Sequence, residues 1–161
     1  MEIQGGKFLT FLLGKEVYGI PIKKVKEIVG MMEVAFIPKG QGDIQGSITL
    51  RDQIIPIVDL RLKFGMATLE YIGHTHIIVI ETVVSDARML VGITVDSISE
   101  VVNIAKNDIE PPPEFEARSE GDFLYGLGKL KGKLILILNC DKILNQEEVV
   151  YIKQELDHRL L

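Results

Sequence analysis

Gly46-Ser-Ile-Thr-Leu-Arg51-Asp-Gln-Ile54-Ile-Pro-Ile-Val-Asp-Leu60-Arg-Leu-Lys-Phe-Gly65 is the stretch whose reading decides the fold. Ile48 and Leu50 alternate with Ser47 and Thr49, the two-residue period of a strand with one wet face. Asp52-Gln53 interrupts the apolar character. Ile54 to Leu60 then resumes as a β-branched, nearly continuous apolar run, the pattern of a strand buried on both faces. The stretch therefore predicts strand, two-residue turn, strand and one short helical turn. Arg51 falls at the strand end, on the lip of the turn.

Working outward, the same grammar recurs along the chain. Phe8–Leu13 and Val17–Ile22 predict two strands about a Gly14-Lys15-Glu16 turn, with Pro21 marking an edge because it lacks a ladder donor. Lys23–Val29 predicts a turn and then a strand running toward Phe36. Ile77–Ile80 and Leu90–Val95 form another strand pair, followed by turn and strand over Asp96–Val102. Ile109–Glu120 is Pro-rich and acidic and predicts an irregular loop. Phe123–Leu130 and Leu134–Leu138 close the β region. Asn145 to Glu148 has the spacing of a capping box, with Val149, Ile152, Leu156 and Leu160 as the stripe of an amphipathic helix.

The chain also repeats itself. Tyr18–Val29 lies on Val91–Val102 at an offset of 73 residues, matching Gly19 to Gly92 and Glu27 to Glu100. Gly46–Leu60 lies on Gly126–Cys140 at an offset of 80, matching Arg51 to Lys131 and Asp59 to Asn139. Two copies of a small β unit, each of about five strands, are the economical reading. The expected fold is mainly β: two small barrels packed together, the first over about 8–72 and the second over about 73–145. The 146–160 helix lies across them, and terminal strands are free to cross between barrels.

Composition limits the chemistry. The chain has 161 residues, 47% hydrophobic and 25% charged, as in an ordinary globular protein, and a net charge of −5 that disfavours a nucleic-acid partner. A single cysteine, Cys140, leaves no internal disulfide and suggests a reducing, cytoplasmic setting. No apolar run approaches the roughly 18 residues of a membrane span, and the first residues do not read as a signal peptide. His74-Thr75-His76 places two imidazoles on one face of a strand, but no third ligand stands at metal-site spacing. Gly126–Gly132 resembles a phosphate loop only superficially, since a strand follows it and not a helix. No nucleophile–base set is apparent. Cofactors are not expected. Two readings stay open for the remaining surface. Glu27 and Arg51 are a structural ion pair or part of a binding face, and Phe115 tucks into its own lobe or anchors a partner.

At this point the residues resemble the CheW family of chemotaxis coupling proteins, over about Phe8 to Glu155. The resemblance is carried by Phe8–Gly14, Glu16–Ile22, Lys24–Ile28, Gly46–Arg51 with Ile54–Arg61, Val91–Asp96, Ile109–Phe115 and Gly126–Gly128. It implies two five-stranded barrels of the Src-homology-3-like kind and a scaffold adaptor without enzyme activity. It implies two partners: the regulatory domain of the histidine kinase CheA, and the cytoplasmic tip of a chemoreceptor. Val25, Glu27 and Arg51 match positions tied to the receptor. Glu114 and Phe115 match the loop that contacts the kinase. The implied location is cytoplasmic, at receptor arrays and without membrane insertion. One departure stands out: the family usually has Gly after the arginine, and here the residue is Asp52. Aspartate tolerates the left-handed turn conformation better than most residues, so the hairpin is expected to survive with an added charge beside Arg51. The alternative is a small-ligand or metal-binding barrel with His74 and His76 as ligands.

Overall fold

A computed structural model describes residues 4–30, 35–36, 44–65, 76–84, 86–112 and 123–160. Among the described residues, twelve strands form two sheets. The first half of the chain gives β1 (Gly6–Leu13), β2 (Glu16–Pro21), β3 (Val25–Gly30), β4 (Ala35–Phe36), β5 (Ile44–Leu50) and β6 (Gln53–Asp59). The second half gives β7 (His76–Val84), β8 (Ala87–Val95), β9 (Ser97–Ile104), β10 (Ile109–Glu110), β11 (Leu124–Leu130) and β12 (Lys133–Leu138). Helix α1 (Leu60–Lys63) follows β6, and α2 (Gln146–Leu160) ends the chain. One sheet runs β10-β11-β12-β2-β1-β9, the other β4-β5-β6-β8-β7-β3. Each has five strands of at least six residues and one of two residues.

The two orders are the same topology with the first hairpin exchanged. β1–β2 joins the later strands of the second copy, and β7–β8 joins the later strands of the first. The sheets therefore do not follow a division of the chain near residue 72. The exchange rests on two short parallel contacts, Leu136↔Tyr18 with Ile137↔Gly19, and Ile57↔Gly92 with Val58↔Ile93. Gly19 and Gly92 sit at equivalent places in these joints. A Cβ on Gly92 would stand 2.5 Å from Ile57 Cδ1 and 2.9 Å from Ile77 Cγ2. One on Gly19 would stand 3.1 Å from Ile135 Cγ2. The repeated glycine is thus a close-approach residue where one copy's strand crosses the other's.

The apolar run of β6 is explained by the same arrangement. Ile55 and Ile57 fill the inside of one barrel with Ile48, Ile77 and Val79. Val58 and Leu60 face a larger core between the barrels, with Phe11, Ile20, Ile78, Ile80 and Ile93. Ile135 and Ile137 repeat the inward role in the other barrel, beside Phe8, Ile104 and Ile109. Alternate side chains of one strand thus enter two different cores, and every residue of Ile55–Leu60 is buried. An aromatic series crosses the central core, with ring centroids 5.9 Å apart for Phe11–Tyr18, 5.5 Å for Tyr18–Phe64 and 5.7 Å for Phe64–Phe123. Burial, aided by Glu16, raises the Tyr18 phenol above its ordinary value.

Helix α2 begins as the spacing predicts. The Glu148 N–H donates to Asn145 Oδ1 at 2.7 Å, and the Asn145 N–H donates to Glu148 Oε1 at 3.1 Å, a reciprocal capping box. Val149 and Ile152 bury into the core between the barrels. The side chains of Leu156 and Leu160 lie outside the described residues. Lys63 Nζ reaches Glu148 Oε1 at 3.0 Å, with both side chains at most 3% exposed, and lies 5.2 Å from the Phe123 ring centroid.

Three local expectations change. β2 is an interior strand, and Pro21 is tolerated because it is the last residue, beyond the Tyr18–Gly19 parallel contact. Lys23-Lys24 belongs to a 3-10 turn, and Val25–Gly30 and Ala35–Phe36 are separate strands. Ile109–Glu110, read as loop, pairs with Gly128 and Leu127 because Ile109 has a barrel core to enter.

Candidate binding face

The predicted arginine stands on a tight hairpin. Leu50 pairs with Gln53, leaving Arg51 and Asp52 as the two turn residues, with φ of 51° and 64°. The interruption at Asp52-Gln53 therefore resolves into a turn one residue earlier, and Gln53 opens β6. Two left-handed residues match the twist of a two-residue hairpin. In the second copy Lys131 and Gly132 take the same role, with φ of 51° and 76°. Asp52 thus occupies the position of a left-handed glycine.

Arg51 and Glu27 form a two-pronged pair. Arg51 Nη1 donates to Glu27 Oε2 at 2.9 Å, and Nη2 donates to Oε1 at 3.0 Å. β3 lies at the far edge of the sheet from β5 and β6, so the pair joins the turn to that edge across the curl of the barrel. The side chain of Arg51 is 78% exposed and that of Glu27 26%. The fork fixes an exposed guanidinium in one orientation, and the pair contributes about 0–1 kcal/mol to stability. Val25 lies two residues from Glu27, across a ladder irregularity, half-buried against the central core. Exposed Ile28 and Ile22 stand on the same segment. The structure thus brings Val25, Glu27 and Arg51 to one barrel end. Glu114 and Phe115 lie outside the described residues.

Two further ion pairs pin the exchanged hairpins, and sequence spacing gave no sign of them. Arg61 Nε donates to Asp96 Oδ1 at 2.9 Å, and its Nη2 also binds Asp96; the Gly14 N–H donates to Asp96 Oδ2 at 2.8 Å. Opposite, Lys24 Nζ donates to Asp141 Oδ1 at 3.0 Å, and the Val83 N–H donates to the same oxygen at 2.9 Å. Arg61 and Asp141 are repeat mates of opposite charge. That reversal was available at the 80-residue offset, but pairing partners were not.

The other chemical candidates assemble no site among the described residues. His74 lies outside the described residues. His76 begins β7, with Nδ1 buried and without a hydrogen-bond partner. Among the described residues no group of three His, Cys, Asp or Glu side chains could hold a metal ion. Cys140 is 2% exposed, and burial pushes its thiol up to about 12, with Asp141 adding to the rise and Lys24 opposing it. It is a core thiol. Among the described residues no helix is long and apolar enough to cross a membrane.

Two exchanged six-stranded sheets, a core between them and a charged hairpin at one end define a two-barrel β protein of the Src-homology-3-like kind. A family model described as the CheW-like domain matches residues 7–148. The chain is 37% identical to the chemotaxis protein CheW of Klebsiella aerogenes, covering 94% of this chain and 89% of that one. It is 32% identical to the CheW of Treponema pallidum, covering 89% and 84%. Its structure is similar to that of the scaffolding protein TtCheW from Thermoanaerobacter tengcongensis, with a TM-score of 0.75 and 33% identity, over 84% of this chain and 90% of that one. The chain belongs to the CheW-like family.

Proposed function

We propose that this protein is a non-enzymatic scaffold adaptor of bacterial chemotaxis, joining a chemoreceptor's cytoplasmic tip to the regulatory domain of the histidine kinase CheA. Family membership supports the adaptor role, and the observation that carries the receptor face is the Glu27–Arg51 fork. An exposed guanidinium held rigid by two hydrogen bonds meets a partner with little ordering cost. Val25, on the same face of β3 as Glu27, supplies apolar contact beside it. Glu114 and Phe115 are proposed as the kinase contact, and the working location is the cytoplasm at receptor arrays. Holding two partners at once lets two modest interfaces reinforce each other through effective concentration.

The test is titration of a receptor cytoplasmic fragment into wild-type protein and Arg51→Ala. Affinity is expected to fall about tenfold, as for loss of a charge-assisted contact, with the melting curve nearly unmoved. Equal affinity would remove Arg51 from the receptor face.

A further inference from the structure

The two barrels differ at equivalent places. In one, Arg51 on the β5–β6 turn closes on Glu27 of the edge strand β3. In the other, Lys131 on the β11–β12 turn and Glu100 of the edge strand β9 border one cleft, and neither side chain has a charged partner among the described residues. Between them lies an open cleft of about 370 Å³. Its apolar lining includes Val17, Val102, Leu130 and Ile135. Lysine is a flexible point charge, and it does not supply the planar fork with which Arg51 spans the matching gap.

The strand bordering the cleft is an edge. β9 pairs with β1 on one side and with no strand on the other among the described residues. Thr10 Oγ1 donates to the Glu100 carbonyl at 2.7 Å and accepts from the Glu100 N–H at 3.1 Å, so the strand is tied down on its β1 side. Ser99, Val101 and Asn103 line the cleft, and Val101 is 51% exposed. An edge strand beside an apolar slot accepts an added strand, with main-chain bonds giving affinity and alternate side chains giving specificity.

We infer that this cleft receives an extended segment of a partner protein, which adds to the β9 edge and presents an arginine to Glu100. The other barrel supplies the chemical precedent: its glutamate at the same repeat position is occupied by a guanidinium fork. An acidic side chain of the segment answers Lys131, and a β-branched one enters the apolar slot. The site is separate from the Arg51 face.

The probe is the peptide acetyl-Thr-Val-Thr-Arg-Thr-Glu-Thr-amide, whose valine, arginine and glutamate share one strand face, titrated into ¹⁵N-labelled full-length protein to about 10 mM, where binding as weak as millimolar is visible by NMR. Saturable shifts are expected at the amides of Ser99, Val101 and Asn103. Glu100→Gln, at an exposed position, weakens binding about tenfold or more. Lys131→Arg provides the internal fork and blocks the peptide, and Arg51→Ala leaves binding unchanged. Absence of saturable shifts, shifts centred outside β9, unchanged affinity in Glu100→Gln or Lys131→Arg, or an equal loss in Arg51→Ala would each overturn the inference.

Discussion

The two barrels share one strand order, yet their ends are finished differently. On one side the hairpin carries Arg51-Asp52 and closes on Glu27. On the other it carries Lys131-Gly132, and Glu100 has no charged partner among the described residues. After β6 the chain enters α1 with a buried Lys63, whereas the repeat mate of Lys63 is the apolar, buried Ile143. Leu60 is likewise matched by the thiol of Cys140. What the copies share is the set of glycines and inward isoleucines needed to close and join the sheets. What they do not share is how charge is used: Glu27/Glu100 and Arg51/Lys131 keep their sign, but only the first pair closes, and Arg61 and Lys63 are matched by Asp141 and Ile143. The strand-joining positions kept their residue types, while the copies diverged at the hairpin turns and at the buried segment that follows the last strand of each copy.

The comparison is broken most forcefully at Lys63. Lys63→Met leaves Glu148 buried without its countercharge and is expected to cost about 3–5 kcal/mol, read from urea denaturation. A change below about 1 kcal/mol would mean that the pair is not a clamp on α2. Cys140 gives a pH signature that Leu60 does not. Its folded pKa lies near 12 against an ordinary value of 9.0, so stability is intact below pH 9 and falls as pH rises from there toward 12. Cys140→Leu, which copies the other barrel, should flatten that part of the denaturation profile. An unaltered profile would place the alkaline loss elsewhere, with Tyr18 the next candidate.

The glycine joints sharpen the comparison by degree. Gly92→Ala meets Ile57 and Ile77 and is expected to cost about 2–3 kcal/mol, with Gly19→Ala about 1 kcal/mol, both by chemical denaturation. Equal costs would show that the two joints relax alike. The smallest effect is at the turn. Asp52→Gly makes the first hairpin resemble the second and relieves a non-glycine residue at φ 64°, with an expected gain of up to about 1 kcal/mol. A destabilised Asp52→Gly would point to a compensating role for the aspartate side chain.

Much of this was legible in order along the chain. Period-2 patterning placed most strands, and the Asn145–Glu148 spacing placed the helix start, because these are local consequences of side-chain direction and end capping. The candidate face was legible as residue types: Glu27 and Arg51 stood out, and each had a charged mate in the second copy. The turn register was not, because Arg51-Asp52 lacks the glycine that flags Lys131-Gly132. The partners of Arg61, Lys63 and Lys24 were not legible either, since each reaches across the fold to a residue distant in sequence.

The sequence by itself determined that there are two like β units, with charged hairpins, a buried run at Ile54–Leu60 and a capped final helix. It could not say which copy's hairpin completes which sheet, because both hairpins carry the same apolar pattern and either would satisfy it. Tertiary structure decided that in favour of exchange. Joining β2 to β12 and β6 to β8 gives the outward faces of both sheets one common core and seats Gly19 and Gly92 under crossing isoleucines. That same exchange carries β3 round to the Arg51 turn and β9 to the Lys131 cleft, and so it sets where the two proposed binding faces lie.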